Sequence, residues 1–599
     1  MKARKIEVKS AFEDIRVYTS EFKNHLLQYI LLFLSLDLIS QFIVIPLFRY
    51  VTTFVLQAGA IPFVSYQNVI TIITTHTSIF IILIIELILL MLIVYSEFAF
   101  LLIGVKNIKT ATFTLSGVFK ETFISLKTLQ ISSLLLLIAY FIFIIPFADI
   151  IFRTPLLSKI QIPDFILDYM TRNWILALIL ILFYLVIGVL GLRLILTLPL
   201  MIFKQQKTWP AMKQSWNLTR KLWRPLIIRL GELTFLAAII LLGFYCSFYL
   251  LQLACDIFPR KLSFIIAVVN LTIIQIISEV VLIWSSVIAI CFLFKPIGIQ
   301  EKSCPAQTNK VVISTSSIII AVLVMGAAIT NILYLGTNFS APLIISHRGV
   351  SEENGVQNTI PALKKTAHLK PDYVEIDLHE TKDKQFVVMH DENLKKLTGV
   401  DKKPNELTLK ELTHLTAKEN GSEGKVASFD QYLKAAKKLH QKLLIEIKTT
   451  PQDSKKMLEY FNRKYGKLII ERHYQVQSLD YGVVENLHRI NPKLPVLYIQ
   501  PYNFTYPESV AKGYSMEYST LDSDFIWQAH LHHHPVYAWT VNQSGLIKRL
   551  MYDHVDGIIT DDVPEVKKAI KDFKNNSSYA NKILNYTIIL PGMLENMRV

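Results

Sequence analysis

Several apolar runs in the last 260 or so residues end in side chains that can do acid–base, metal or phosphate chemistry. His347, Arg348 and Gly349 follow Leu343–Ser346. Glu375 and Asp377 lie two apart within Tyr373–Leu378, so both leave one face of a strand. His390 and Asp391 follow Phe386–Met389, and Glu446 and Lys448 repeat the two-residue spacing around Leu443–Ile447. Gln477 and Ser478 end a fifth run, Trp539 and Asn542 a late one, and Asp561 and Asp562 the last. The carboxylates Glu375, Asp377 and Glu446 suit a hard divalent cation, Ca2+ or Mg2+, which takes oxygen ligands. This part has no cysteine, so thiolate zinc is excluded. Two histidines suit proton transfer near neutral pH. Arg348 and Lys448 would neutralise phosphate oxygens. Together these groups describe phosphodiester cleavage better than glycosyl transfer, where paired carboxylates need no cation clamp. Neither Gly-x-Ser-x-Gly nor a Gly-x-x-x-x-Gly-Lys-Ser/Thr loop is present.

The runs that carry these residues read as strands. With Tyr474–Gln477, Val496–Ile499, Tyr514–Tyr518, Val536–Thr540 and Gly557–Ile559 there are nine candidates, separated in several places by lysine-rich amphipathic segments such as Ser428–Gln441 and Gln452–Lys464. Strand and helix alternating over about 250 residues is the pattern of a parallel α/β barrel, whose strand ends meet at one mouth. Nine exceeds eight, and Phe386–Met389 follows its neighbour too closely for an intervening helix, so one of the two belongs to a hairpin insertion. From pattern alone a doubly wound sheet is the alternative. The triplet His532–His534 reads as a polar loop, because consecutive residues on an extended chain face opposite ways.

The first 340 residues cannot be soluble. The 599-residue chain is 52% hydrophobic and 18% charged, against about 25% charge in an ordinary globular protein. Residues 1–340 hold 27 Lys/Arg and 15 Asp/Glu, and residues 341–599 hold 35 and 32. Seven runs are long enough to span a bilayer, which takes roughly 20 apolar residues: 26–48, 78–104, 130–152, 174–203, 226–252, 264–294 and 311–336. Pro199 predicts a bend near the end of the fourth, and 52–76 is a weaker stretch suited to the interface. Asp37, Glu86, Arg193 and Glu279 lie inside spans and are expected to pair within the bundle or lie near its edges. Loops rich and poor in Lys/Arg alternate, the richest following the fourth run. The positive-inside rule then places the N-terminus in the cytoplasm, and seven crossings place the barrel outside the cell. The basic excess belongs to these loops, so the bilayer and not nucleic acid is the expected partner. The expected division is a multi-span membrane domain over 1–340, a barrel over 341–575 and a tail over 576–599.

The motifs HRG (347–349), NT (358–359), VEIDLHETKD (374–383), VVMHD (387–391), IEIK (445–448), QSLD (477–480), AWTVN (538–542) and DGIITDD (556–562) resemble, in order, those of the glycerophosphodiester phosphodiesterase family. The membrane half is similar to the subgroup in which a multi-span region precedes the barrel. The resemblance implies a TIM barrel that binds one divalent cation and cleaves a glycerophosphodiester to glycerol 3-phosphate and an alcohol. It implies Glu375, Asp377 and Glu446 as metal ligands, His347 and His390 as the acid–base pair, and Arg348 and Lys448 at the phosphate. Trp539, Gln477 and Gln357 are further candidates for substrate contacts. Where the family reads Pro-Glu-Asn-Thr, this chain reads Val356-Gln357-Asn358-Thr359. An uncharged ligand there alters metal affinity unless Glu352 or Glu353 substitutes. His379 continues the Glu375, Asp377 alternation, as a support or solvent histidine. Deacylated phospholipids, lysophospholipids and glycerophosphate polymers of the envelope are candidate substrates. The alternatives are a catalytically weakened sensor or binding module and an accessory barrel of a membrane transporter.

Overall fold

The computed structural model describes residues 11–589 except 60, 62–63, 65–68, 130–137, 144–161, 300–309, 337–339, 503–505, 508 and 576–577. Among the described residues six helices are long and apolar enough to cross a membrane: Leu26–Ala58, Thr77–Lys109, Trp174–Lys204, Thr208–Cys255, Arg260–Ile297 and Ile313–Gly336. They answer to six of the seven expected runs, and the other, 130–152, lies largely outside the described residues. The first helix runs on to Ala58 through a π-helical turn at Ser40–Val44, absorbing part of the weaker stretch 52–76. The helix from Trp174 breaks after Leu194 and restarts at Thr197. Pro199 has no N–H to offer the carbonyl of Ile195 four residues back, so the bend falls a turn before the proline. Buried Phe98, Leu101, Leu198, Ile288 and Phe292 belong to the core between these helices.

Of the charges inside spans, Glu86 accepts from Thr52. The Arg193 guanidinium lies 4.5 Å over the Trp216 ring and donates to the Trp216 carbonyl at 2.6 Å. At one end of the bundle Asp14 pairs with Arg229 at 2.9 Å and Lys295 at 3.3 Å, and Lys109 pairs with Glu21 at 2.9 Å. Contacts to the C-terminal half include three from other parts of the helices. Arg49 pairs with Asp524, Asp164 meets Tyr518 and Ser519, and Asp256 accepts from the Ala580 amide at 2.9 Å.

The described residues of the C-terminal half form twelve strands: β1 (Leu343–Ser346), β2 (Tyr373–Glu380), β3 (Phe386–Val388), β4 (Thr416–Glu419), β5 (Ser422–Lys425), β6 (Ala427–Ser428), β7 (Lys442–Ile447), β8 (Gln475–Ser478), β9 (Val496–Gln500), β10 (Tyr514–Glu517), β11 (Val536–Trp539) and β12 (Gly557–Thr560). Eight of them, β1, β2 and β7 to β12, are parallel neighbours in that order, and β1 pairs with both β12 and β2 to close a barrel. That closure excludes the doubly wound alternative. β3 adds antiparallel to β2 and β6 antiparallel to β3, so Phe386–Met389 is the insertion strand, and β4 with β5 forms a separate hairpin.

Alternation along each strand divides its side chains. Val374, Ile376, Leu378, Ile445, Val476, Met516, Ala538 and Ile558 join the core shared with the surrounding helices. Ile345, Tyr373, Leu444, Leu497, Tyr537 and Ile559 form a second cluster inside the barrel. The next inward positions up the strands are His347, Glu375, Asp377, Glu446, Gln477, Glu517, Trp539 and Asp561, at the C-terminal mouth. The tail helix Tyr579–Ile589 packs against the Thr208–Cys255 and Arg260–Ile297 helices. Tyr334 donates to the Lys582 carbonyl at 3.0 Å, and Asn585 donates to the Tyr552 hydroxyl of the barrel at 2.9 Å.

Candidate active site

The strand registers set the mouth. Asp377 lies beside Glu446 across β2–β7, Glu446 beside Gln477 across β7–β8, and Glu517 beside Trp539 across β10–β11. Glu375, Asp377 and Glu446 are all buried, and each offers an oxygen within 4.8 Å of the others. The Arg348 amide donates to Glu375 Oε2 at 2.8 Å, and Asn358 Nδ2 donates to Asp377 Oδ2 at 2.8 Å. Lys448 Nζ lies 2.7 Å from Glu446 Oε1 and 3.2 Å from Asp377 Oδ1. The Lys448 ammonium therefore sits among the carboxylates and not free at the rim.

Burial, reinforced by the charges of Asp377 and Glu446, pushes Glu375 well above the usual carboxylate range. Burial also acts on Asp377, but Lys448, His390 and Arg348 outweigh it and hold that carboxyl low. Burial alone would lower Lys448, and Glu446 with Asp377 raises it instead. Three converging carboxylates, one of them driven toward protonation although Lys448 and Arg348 stand close, form a donor set with negative charge to spare. Its hard oxygens fit a divalent cation.

Each histidine is held by a carboxylate on Nδ1. His347 Nδ1 lies 2.8 Å from Asp561 Oδ1, and Arg348 Nε donates to His347 Nε2 at 3.1 Å. A guanidinium only donates, so Nε2 is the acceptor and the ring proton sits on Nδ1 toward Asp561. Asn542 Nδ2 donates to Asp561 Oδ2 at 3.0 Å, bracing that carboxylate. His390 Nδ1 lies 2.9 Å from Asp391 Oδ1, which leaves its Nε2 for chemistry. Burial lowers the His390 pKa, although Asp377 and Asp391 pull the other way. His379 is buried, with Nε2 3.2 Å from the His390 carbonyl oxygen; it braces the loop that carries His390.

The HRG turn has a backbone reason. Arg348 and Gly349 both have positive φ, 51° and 69°. A Cβ at position 349 would lie 2.6 Å from the Tyr432 hydroxyl oxygen, so glycine is required on both counts.

Gln357 does not enter the carboxylate cluster. Its Oε1 accepts from Arg348 Nη1 at 2.9 Å, and its Nε2 donates to Glu419 Oε1 at 2.7 Å. The Gln357 amide N–H also donates to Glu419 Oε2 at 3.0 Å. A carboxylate is therefore close to this loop after all, but it comes from β4. Glu352 and Glu353, the alternative carboxylates of the same loop, are exposed. Gln477 Oε1 accepts from Ser515 Oγ at 2.7 Å inside the barrel. Trp539 is half-buried, and its Nε1 has no hydrogen-bond partner among the described residues. His534 bonds the Tyr506 hydroxyl and His532 stacks on the Tyr506 ring, so the histidine triplet is a loop away from the mouth.

Sequence reasoning named Asp391 and Asp561 without a role and missed Glu419 and Glu517. The adjacency in His390-Asp391 was a usable signal, as was a lone glutamate in Tyr514–Tyr518. Nothing in the sequence pointed to Glu419. Glu517 is fully buried; Oε2 accepts from Ser519 Oγ at 2.6 Å and from the Thr520 amide at 3.1 Å, while Oε1 has no partner among the described residues. Burial pushes its pKa up to about 7.

Residues 15–331 match the family described as the membrane domain of glycerophosphoryl diester phosphodiesterase, and residues 347–565 match the glycerophosphoryl diester phosphodiesterase family. A glycerophosphodiester phosphodiesterase of Caldanaerobacter subterraneus is 25% identical over 233 residues, 37% of this chain and 94% of that one. Lysophospholipase D GDPD1 of Homo sapiens is 31% identical over 167 residues, 26% of this chain and 50% of that one. The crystal structure of a glycerophosphodiester phosphodiesterase from Parabacteroides distasonis aligns with 40% of this chain and 100% of its own at 25% identity, with a TM-score of 0.35. Matched through both halves, this chain belongs to the glycerophosphodiester phosphodiesterase family, as a phosphoric diester hydrolase whose barrel follows a multi-span membrane domain.

Proposed function

We propose that the chain is a membrane-anchored, metal-dependent phosphodiesterase that releases glycerol 3-phosphate, or its acylated form, from a glycerophosphodiester. One observation carries this reading: three buried carboxylates and two carboxylate-held histidines meet at one barrel mouth. Glu375, Asp377 and Glu446 would hold one Ca2+ or Mg2+, which would polarise oxygens of the substrate and lower a hydroxyl pKa. Arg348 and Lys448 bind phosphate oxygens, and Gln357 aims the Arg348 guanidinium. Trp539 and Gln477 line the remainder of the site. One histidine takes the proton of the glycerol 2-hydroxyl as its oxygen attacks phosphorus, and the other protonates the departing alcohol. The resulting cyclic phosphate is opened by water with the roles reversed. Asp561 and Asp391 each hold an N–H on Nδ1, so that proton exchange runs through Nε2, unprotonated in the histidine that acts as base and protonated, as imidazolium, in the one that acts as acid.

The membrane half over 1–340, the barrel over 341–575 and the tail over 576–599 act as one assembly in this reading. The N-terminus lies in the cytoplasm and the barrel outside. Loop charge supports that orientation. So does the sidedness of the contacts: Arg49, Asp164 and Asp256, all from loops expected outside, touch the C-terminal half. Purified full-length protein given glycerophosphocholine should release glycerol 3-phosphate, lose that activity to a chelator and regain it with Ca2+ or Mg2+. Turnover unaffected by chelation would remove the metal from the reading, and no turnover of any glycerophosphodiester would remove the reaction.

A further inference from the structure

The strand order puts β10 and β11 across the barrel from β2 and β7, which carry the three carboxylates. The wall on that far side is completed by the membrane half. The helix Asp164–Thr171 stands directly before the span that begins at Trp174. The Tyr518 hydroxyl donates to Asp164 Oδ2 at 2.7 Å, and the Asp164 amide donates to Ser519 Oγ at 3.1 Å. The same Ser519 hydroxyl donates to Glu517 at 2.6 Å, so the helix is tied to the end of β10. Its next residue, Phe165, packs on Trp539 with ring centroids 5.8 Å apart.

From that contact an apolar path leads to the bilayer. Phe165 and Tyr169 lie four apart and share a helix face. They are 39% and 71% exposed, and Trp174, which opens the span, is 76% exposed. Beyond it Ile175, Leu178 and Ile179 are exposed on the candidate span, an apolar surface suited to lipid. Aromatic residues at this level are the usual boundary between headgroups and water. The strip Trp539, Phe165, Tyr169, Trp174 thus runs from the barrel mouth to the start of a helix whose exposed apolar side chains suit hydrocarbon.

We propose that the Asp164–Thr171 helix is a specificity wall of the active site and guides the acyl chain of a single-chain glycerophosphodiester lipid from the bilayer to Trp539. The inference rests on the phosphodiesterase reading and narrows its substrate. A deacylated diester or a glycerophosphate polymer is polar throughout and has no use for an apolar path. A diacyl lipid lacks the free 2-hydroxyl that attacks phosphorus. A 1-acyl lysophospholipid has both the chain and the hydroxyl. Attack by its 2-oxygen breaks the bond from phosphorus to the headgroup oxygen, the headgroup alcohol leaves with one proton, and water opens the ring to an acylated glycerol phosphate.

Full-length protein in nanodiscs tests this, with choline release read from 1-palmitoyl-glycerophosphocholine in the bilayer and from glycerophosphocholine in solution. The wild type should favour the lysolipid. Phe165→Ala should cut the ratio of the two kcat/KM values about tenfold, on the scale of one lost aromatic contact, and Phe165→Leu should restore most of it. Tyr169→Ser should lower the ratio severalfold. A ratio unchanged in Phe165→Ala overturns the proposal, as does an equal fall on both substrates, which marks a structural role. Wild type that cleaves glycerophosphocholine but not the lysolipid overturns it too and leaves the phosphodiesterase reading standing. Choline from neither substrate overturns both.

Discussion

Replacing Glu517 by glutamine should change how the protein's stability depends on pH. The carboxyl is fully buried beside Trp539, and only one of its oxygens is bonded among the described residues. Burial lifts its pKa from 4.5 to about 7, more than the bonds from Ser519 and Thr520 can offset. Below about pH 4.5 the group is protonated in both the folded and unfolded protein and contributes no difference. Between about 4.5 and 7 the unfolded chain ionises first, so the folded state loses stability as pH rises. At 1.36 kcal/mol per pKa unit the loss reaches about 3 kcal/mol, complete above about pH 7. A glutamine amide in its place would keep an acceptor for Ser519 and Thr520 without the ionisation. Glu517→Gln should therefore match the wild type at pH 4.5 and exceed it by up to about 3 kcal/mol at pH 8. Pulse proteolysis in urea on the detergent-solubilised protein measures this through the midpoint at which the barrel becomes cleavable. A difference between variant and wild type that is the same at both pH values would refute the assignment of a buried, high-pKa carboxyl.

His347→Ala and His390→Ala should each lower kcat by about 10²- to 10⁴-fold while calorimetry shows metal affinity little changed; near wild-type turnover in either variant removes that histidine from proton transfer. Gln357→Glu would set a new carboxylate against Glu419, whose Oε1 now accepts from Gln357 at 2.7 Å, and should raise KM severalfold without tightening the metal. A Ca2+ or Mg2+ activation curve shifted to lower concentration would show instead that position 357 reaches the ion. Protease added to wall-stripped intact cells should release the barrel, and full protection until lysis would reverse the proposed orientation.

The strands were legible because short β-branched runs end in Gly, Pro or charged residues, and the eight barrel strands start or stop within two residues of the expected limits. The convergence of Glu375, Asp377 and Glu446 followed, since alternation on a strand fixes which side chains share a face. The β4–β5 hairpin was not legible. Its sequence, Thr416–Glu419 and Ser422–Lys425, is polar on both faces and carries no apolar period. Glu419 was lost with it, and the loss of a carboxylate at Gln357 looked uncompensated when its partner stood 62 residues further on. The contact of Phe165 with Trp539 spans the two halves of the chain, and local patterning does not encode such pairings. The bend near Pro199 was foreseen, but it falls at Ile195–Leu196, where the missing amide is felt.

The tail helix changes what kind of attachment the barrel has. A body joined to a support through one flexible linker can swivel about it, and one joined at two points can still hinge about the line between them. Here the barrel meets the membrane helices at Arg49, again at Asp164, and a third time through Tyr579–Ile589, which returns to Asp256, Tyr334 and Gln275. Three separated points leave a rigid body no rotational freedom. Each contact alone is weak, but once one has formed the others close at the high effective concentration of an intramolecular encounter. The catalytic mouth is thereby held in one orientation relative to the spans, so substrate has a fixed direction of approach.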